Sequence, residues 1–284
     1  MNVQAGTLYI VGTPIGNLED MSFRAVRVLK SVDRIAAEDT RHTAKLLQHF
    51  QIATPQVSYH EHNSQTRIPE LLQWLGQGQS IALVSDAGMP GISDPGGELV
   101  QACTEQGISV VPISGPSAVI TALVAAGLPT ERFVFEGFLP PKGQTRRDLL
   151  EALQTESRTV VLYESPHRLR QTLQDLAAIL GDDRAIVLAR ELTKLHEEFW
   201  RGPIKSAIAD YTHRDPQGEF TLVIAGVTRI QPLLSEAALK AELENLLEQG
   251  LSRSQASRQL AQQTPLSRRQ IYQLALTVTP QPPI

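Results

Sequence analysis

Residues 81–97 read Ile81-Ala82-Leu83-Val84-Ser85-Asp86-Ala87-Gly88-Met89-Pro90-Gly91-Ile92-Ser93-Asp94-Pro95-Gly96-Gly97. Four apolar residues open the stretch, the pattern of a strand buried on both faces. A loop crowded with glycine and proline follows. A helical period begins beyond it at Leu99, Val100 and Cys103. Strand, Gly/Pro-rich loop and helix is the order in which open α/β sheets place ligands beyond the carboxyl ends of their strands. Glycine lets backbone approach a ligand and proline fixes the loop's shape in advance. Alone, the stretch also fits a tight turn, so the other loops decide.

Upstream, Thr7–Val11 is a strand ended by Gly12-Thr13-Pro14-Ile15-Gly16-Asn17. This is not GxGxxG, and Pro14 removes a backbone donor, which disfavours a pyrophosphate cradle. Ser22 is placed to cap a helix carrying Phe23, Val26 and Leu29. Arg34–Ala37 is a second strand that runs into Glu38-Asp39-Thr40-Arg41-His42-Thr43. There Asp39 or Thr40 can cap the next helix, and two acids beside an arginine suit substrate positioning. Val57–Tyr59 is a third strand. The His60-Glu61-His62-Asn63 that follows has no third or fourth metal ligand at recognisable spacing. A helix with Leu71, Leu72 and Leu75 precedes the opening stretch. Ile108–Val111 is a fifth strand, and Pro112–Ser117 leads from it into a helix of small and β-branched residues, Ala118–Ala126. These βα units predict an N-terminal α/β domain with a parallel sheet over residues 1–127.

Beyond Gly127–Thr130 the strands change character. Phe133–Phe138, Thr159–Tyr163, Ala185–Ala189, Glu198–Trp200 and Phe220–Ala225 are closely spaced, with fewer helices expected between them. This predicts a mixed sheet in a second α/β domain over residues 128–229. Pro140–Arg147 reads as a mobile basic loop bearing Lys142, Arg146 and Arg147. Glu164-Ser165-Pro166-His167-Arg168 ends another strand. Residues 233–279 read as a helical tail, with leucines at 239, 243, 246 and 247 and then two short helices around Thr264-Pro265. From Leu251 onward the chain holds four arginines and no acid. This is a helix-turn-helix-like pattern, open to nucleic-acid contact or to docking and dimer formation. Pro280–Pro283 reads as a frayed end.

Composition bounds these readings. A chain of 284 residues suits two domains of ordinary size. No apolar run approaches the roughly 20 residues needed to cross a bilayer, and the start of the chain lacks a signal peptide's basic region. The single Cys103 excludes an internal disulfide, which fits a cytoplasmic setting. Net charge −4 argues against wholesale coating of nucleic acid, so RNA binding would need a local basic patch.

Together, LYIVGTPIGNLED, AAEDTRHT, LVSDAGMPGISDPG, PISGPSA, GFLPPKG and LYESPHR, in that order over about residues 7–226, resemble the tetrapyrrole methylase fold family. EDTRHT and SDAGMPGISDPG are similar to its branch that methylates the ribose 2'-oxygen of a cytidine in 16S rRNA. The resemblance implies two α/β domains of the tetrapyrrole methylase type with a cleft between them, plus the C-terminal helical domain. It implies S-adenosylmethionine as methyl donor, held in that cleft. By motif position, Pro14 would line the floor. Ala87, Gly88, Met89 and Ile92 would surround the methionine part. Ser117 and Ala118 form a second contacting pair, and Glu164 and Leu192 would touch the adenosine through backbone. Met89 departs from the branch, which more often has Thr there. The resemblance also implies a homodimer and a 16S rRNA partner within the small ribosomal subunit, while the histidine spacing and the short apolar runs lead us to expect neither a metal nor a membrane.

For the transfer itself, Glu38, Asp39 and Asp86 are candidates for base or orienter, and Arg41 for holding an adjacent phosphate. Lys142, Arg146, Arg147 and Arg168 would form a phosphate-contacting rim. Rival readings are a methyltransferase acting on a porphyrinoid, and a ligand-sensing protein whose tail binds DNA.

Overall fold

The computed structural model describes residues 3–227, 235–261, 264 and 266–278. Pro265 and the expected frayed end, Pro280–Pro283, lie outside the described residues. The first half alternates strand and helix: β1 (Thr7–Val11), α1 (Phe23–Ser31), β2 (Arg34–Ala37), α2 (Thr40–His49), β3 (Gln56–Ser58), α3 (Ser64–Gly76), β4 (Ile81–Val84), α4 (Gly97–Glu105), β5 (Ser109–Ile113) and α5 (Ala118–Ala126). The five strands form a parallel sheet in the order β3-β2-β4-β1-β5. Side chains alternate between its faces. Tyr9, Val11, Ile35 and Val84 pack under α1 and α2, while Leu8, Ile10, Ile81 and Leu83 pack under α3 and α4 with Cys103. Both faces are covered, which is why β1 and β4 are buried throughout and, Thr7 aside, apolar.

Local chemistry sets the helix starts. Ser22 Oγ accepts the Ala25 N–H (3.0 Å) at α1, and Asp39 Oδ1 accepts the Arg41 N–H (2.8 Å) at α2. Between α1 and β2, Asp33 Oδ2 accepts both the amide and the hydroxyl of Ser80, each at 2.7 Å, which ties that turn to the start of β4.

The second half comprises β6 (Phe133–Phe138), α6 (Gln144–Gln154), β7 (Thr159–Glu164), α7 (Pro166–Leu180), β8 (Ala185–Arg190), β9 (Glu198–Pro203), α8 (Ile204–His213) and β10 (Phe220–Ile224). The sheet is mixed: its order is β6-β7-β10-β8-β9, and only β6 and β7 run parallel. The expectation of few helices here is corrected, because α6, α7 and α8 bury Leu150, Leu173 and Tyr211 on one face of this sheet. The expected basic loop is corrected as well. Gly143, at φ +88°, turns the chain, and Gln144–Arg147 form the first turn of α6.

The other face of the second sheet is covered by α5. Its Val119, Ala122, Leu123 and Ala126 pack on Val161, Val187, Ala189 and Val223. From β9, Arg201 caps its end by donating to the Ala125 carbonyl (2.6 Å). The helix that closes the first βα series thus belongs by packing to the second sheet, and residues 1–227 form one compact unit with no break at 127.

Residues 228–284 form a separate unit. Its α9 (Glu236–Glu248), α10 (Arg253–Ala261) and α11 (Arg268–Thr277) share a core of Leu239, Leu243, Leu246, Ala256, Leu260 and Ile271. Ser267 and Gln270 make a capping box at α11. Arg253 donates to the Ala275 carbonyl (3.0 Å) and Arg268 to Ser254 (2.8 Å), so two of the four arginines serve the tail's own packing. Among the described residues, no helix is long and apolar enough to cross a membrane.

At the carboxyl end of the first sheet the loops are pressed together. A Cβ on Gly115 would lie 2.7 Å from Gly12 Cα, and one on Gly12 would lie 2.6 Å from Met89 Sδ. Thr13 and Gly88 exchange backbone hydrogen bonds of 2.9 and 3.1 Å, and the Thr13 hydroxyl donates to the Ser85 carbonyl (3.1 Å). The loops after β1, β4 and β5 are therefore one packed assembly. Gly115→Ala should destabilise residues 1–227 by about 1–3 kcal/mol, because the methyl meets backbone that cannot rotate away. Chemical denaturation monitored by circular dichroism would show it as a lower midpoint. An unchanged midpoint would mean the loops part easily.

Candidate functional site

A cleft of ≈ 410 Å³ lies in residues 1–227 between the loops of the first sheet and the strand ends of the second. That volume suits a small-molecule ligand. The first sheet contributes Ile15, Ala87, Gly88, Met89, Ile92, Ser93, Asp94, Ser117 and Ala118. The second contributes Phe138, Tyr163, Glu164, Ser165, Ala189, Leu192 and Phe220, among others. The residues singled out from motif position come together here, except Pro14, whose neighbour Ile15 faces the cleft in its place.

Several lining residues escaped the sequence reading. Asp94 and Ser93 stand inside the quoted glycine-rich stretch, Phe138 inside GFLPPKG, and Tyr163 inside LYESPHR. Their motifs were visible, but which side chain turns inward is set by packing. At Gly137 (φ +64°) the β6–β7 register shifts, and a Cβ there would meet Ser93 Oγ at 3.1 Å. Tyr163 stacks edge-on with Phe135 (4.9 Å between centroids) and lies against Phe138 (5.5 Å), giving the cleft an aromatic wall. Opposite, Leu192 sits between two non-glycine residues in left-handed backbone, Glu191 (φ 50°) and Thr193 (φ 65°). That strain is held by hydrogen bonds, since the Glu191 carboxylate accepts from Lys194 Nζ (2.8 Å) and from the Glu219 amide (2.9 Å).

Carboxylates gather at the first-sheet side. Glu38 Oε2 accepts the Asp86 amide (3.2 Å), and Asp86 Oδ1 accepts the Asp39 amide (3.2 Å). These two acids brace the EDTR loop against the glycine-rich loop and do not line the cleft. Burial raises the Glu38 carboxyl above its ordinary value. Burial also lifts Asp94 to about 6, and the charges of Glu38 and Asp86 push the same way. Asp39 is corrected as a candidate base. It caps α2 and pairs with Arg41 (3.2 and 3.0 Å), which holds its carboxyl down at about 2. Arg41 itself is open to solvent, with its side chain 90% exposed. Such an exposed pair is weak and can be traded for another anion.

The expected cationic rim divides. Lys142 and Arg147 are exposed, and Arg147 bonds only to Gln144 on its own helix. Arg146 is a correction, for it is only 8% exposed. It pairs with Asp175 (2.7 Å) and donates to Thr172 and the Pro140 carbonyl. Arg168 is likewise engaged, donating to the Leu139 carbonyl and pairing with Glu164 (3.4 Å). Glu164 is itself buried, taking hydrogen bonds from the Thr172 hydroxyl (2.6 Å) and the Ser165 amide (2.8 Å). These five residues form an internal polar network that shapes the strand end beside the cleft. Among the described residues, no three His, Cys, Asp or Glu side chains converge as metal ligands.

Two five-stranded sheets, one parallel and one mixed, sharing one cleft define the class, a two-sheet α/β fold. The chain belongs to the tetrapyrrole (corrin/porphyrin) methylase family, whose model matches residues 7–208. It is 61% identical over 272 residues to the ribosomal RNA small subunit methyltransferase I of Synechocystis sp., covering 95% of this chain and 98% of that one. The protein of the same name from Thermotoga maritima is 51% identical over 221 residues, covering 78% of this chain but 99% of its own length. Among solved structures, the uroporphyrin-III-C-methyltransferase of Thermus thermophilus superposes with a TM-score of 0.56 at 20% identity, over 78% of this chain and 94% of that one, a likeness of fold.

The Asp94 carboxyl should titrate with a midpoint near 6, protonated below it and charged above. The resonance that disappears in Asp94→Asn, followed by carbon-13 NMR, checks this. A midpoint near the ordinary value of about 4 would mean that water reaches the group freely.

Proposed function

We propose that this protein transfers a methyl group from S-adenosylmethionine to the ribose 2'-oxygen of a cytidine in the 16S rRNA of the small ribosomal subunit. The observation that carries the reading is the near full-length similarity to a protein named ribosomal RNA small subunit methyltransferase I. Features of the cleft support this donor. Glu38 and Asp86, bracing the glycine-rich loop, supply negative potential for a cation, and the Tyr163 and Phe138 rings attract cations on their faces. Ser117, at the start of α5, has a hydroxyl that makes no capping bond to its own helix, which leaves it free for a ligand's polar group. The donor, when bound, supplies a methyl already activated by a positive sulfur.

The chain's own part is positioning, dryness and one proton. The Thr13–Gly88 bridge fixes the glycine-rich loop before any ligand arrives, so its ordering is not charged against binding. Ile15, Met89, Ile92 and Leu192 exclude water from the reacting centre. Asp94 takes over the role first sought among Glu38, Asp39 and Asp86, because it is the member of the group that lines the cleft. With its carboxyl raised to about 6 it is charged at neutral pH and is basic enough to receive the 2'-hydroxyl proton. The target nucleotide has to be splayed out to reach it. Arg41, at the exposed start of α2, and the exposed Lys142 and Arg147 beyond β6 would meet the flanking phosphates. A second copy of the chain fits the exposed Ile120 and Val124, one turn apart on α5 and 48% and 71% exposed. The reaction needs soluble rRNA or subunits, which accords with a cytoplasmic setting.

Tritiated methyl from S-adenosylmethionine, offered with unmodified small subunits, naked 16S rRNA and a porphyrinogen in parallel, tests the substrate. Label at one alkali-resistant position in RNA is the expected result. Label in the porphyrinogen alone would keep the fold and overturn the substrate, and salt-sensitive duplex DNA binding without transfer would favour a regulator. Asp94→Asn should lower kcat by about 10²–10⁴ with donor affinity little changed. Wild-type activity should fall as pH drops through about 6, since the protonated carboxyl cannot accept a proton. Lost donor affinity with intact kcat would make Asp94 a binding group instead.

A further inference from the structure

The outer surfaces of the first sheet's two helix layers differ sharply in charge. On one side, α1 carries Arg24, Arg27 and Lys30 and no acid, and α2 carries Arg41, Lys45, His42 and His49 and no acid. On the other, α4 carries Glu98 and Glu105 and no cation, and the lone Arg67 of α3 is paired with Glu70. The segregation occurs in a chain whose net charge is −4. Arg24, Arg27 and Lys30 are all exposed and, among the described residues, none makes an ion pair. Three residues apart on one helix, they repel one another, a cost met only in part by the place of Lys30 in the last turn of α1. A polyanion would offset it.

Two grooves lie on this face. A groove of ≈ 660 Å³ runs between α1 and the end of α2, with Arg27 and Lys30 on one wall and His49 and Phe50 on the other. Arg27 also lines a second groove of ≈ 340 Å³ with Arg24. At the head of α1 stands Phe23, 97% exposed, a ring on which an unpaired base can stack. The heads of α1 and α2 stand at the cleft's end of the sheet, because the chain reaches α1 from the loop bearing Ile15, and the Asp39 amide at the start of α2 binds Asp86, next to the lining residue Ala87. Resting on the RNA reading above, we propose that the α1–α2 face grips the sugar-phosphate backbone of the substrate rRNA beyond the target nucleotide. Two observations favour this face over the alternatives. Arg146 and Arg168 are occupied internally. The Thermotoga maritima relative, matched over 99% of its own length, pairs with 78% of this chain, so about a fifth of this chain has no counterpart in a relative of that name.

The test is the triple variant Arg24→Ala, Arg27→Ala and Lys30→Ala in the full chain. Binding to 16S rRNA is measured by filter retention across a salt series, with S-adenosylmethionine binding by calorimetry as the check on folding. Loss of up to three phosphate contacts should weaken RNA binding by about tenfold or more and flatten the slope of log affinity against log salt by about 2–3, with donor affinity unchanged. The charge-keeping double variant Arg24→Lys, Arg27→Lys, with Lys30 retained, should restore both. An unchanged slope in the alanine variant, while wild type binds and methylates RNA, overturns this inference and leaves the proposed function standing. Failure of wild type to bind rRNA or subunits at all overturns that function and this inference with it. A change of oligomeric state in sedimentation velocity with RNA binding intact would assign the face to a second copy of the chain and overturn the proposal.

Discussion

The close approach of Gly12 to Gly115 is the constraint on which the site depends. Their backbones lie so near that neither position has room for a methyl group. The contact brings the ends of β1 and β5 together and lets Thr13 reach across to Gly88, which adds the β4 loop to the same assembly. A loop rich in glycine is expensive to order. Here its order comes from neighbouring backbone before a ligand arrives, and Pro90 and Pro95 remove part of the freedom that would otherwise be lost. The second sheet completes the cleft only because α5 leaves the first sheet and buries its small residues on the second.

Charge is distributed with comparable economy of means. Burial, with the charges of Glu38 and Asp86 close by, raises the Asp94 carboxyl to about 6, so it is mostly charged at neutral pH and loses that charge in mild acid. The α1–α2 face is basic and the α3–α4 face acidic. Summed over the chain these nearly cancel, so the net charge of −4 conceals a polar arrangement. Charge on such surfaces acts through position relative to the cleft, and total charge speaks only to bulk behaviour.

Arg146 shows why a cluster of cations in sequence is an uncertain guide. Lys142, Arg146 and Arg147 read as one basic loop, but Gly143 starts a helix among them and a helical turn points neighbouring residues in different directions. Arg147 faces solvent, whereas Arg146 turns inward to Asp175 and Thr172. An arginine's forked donors suit such an internal role as well as they suit phosphate. Conversely, Arg24, Arg27 and Lys30 lie within an ordinary amphipathic helix pattern, and their isolation from acids appears only when α1 and α2 are seen side by side.

By itself the sequence determined the periodicities: apolar runs for the buried parallel strands, capping residues such as Ser22 and Asp39 at helix starts, and the order of loops that marks the family. Those are local properties, set by backbone sterics, hydrogen-bonding side chains and alternation. It also marked the stretch 81–97 and most of the residues that meet at the cleft, because glycine and proline punctuate such loops. Only the tertiary structure decided that Asp94, and not Asp39, faces the cleft, that Ile15 stands where Pro14 was expected, that α5 covers the second sheet, and that Glu164 and Arg168 are tied into one network. Each of these depends on which distant backbone a side chain meets. Burial, desolvation and neighbouring charge arise from contacts between residues far apart in the chain, such as Glu38 with Asp86 or Gly12 with Gly115.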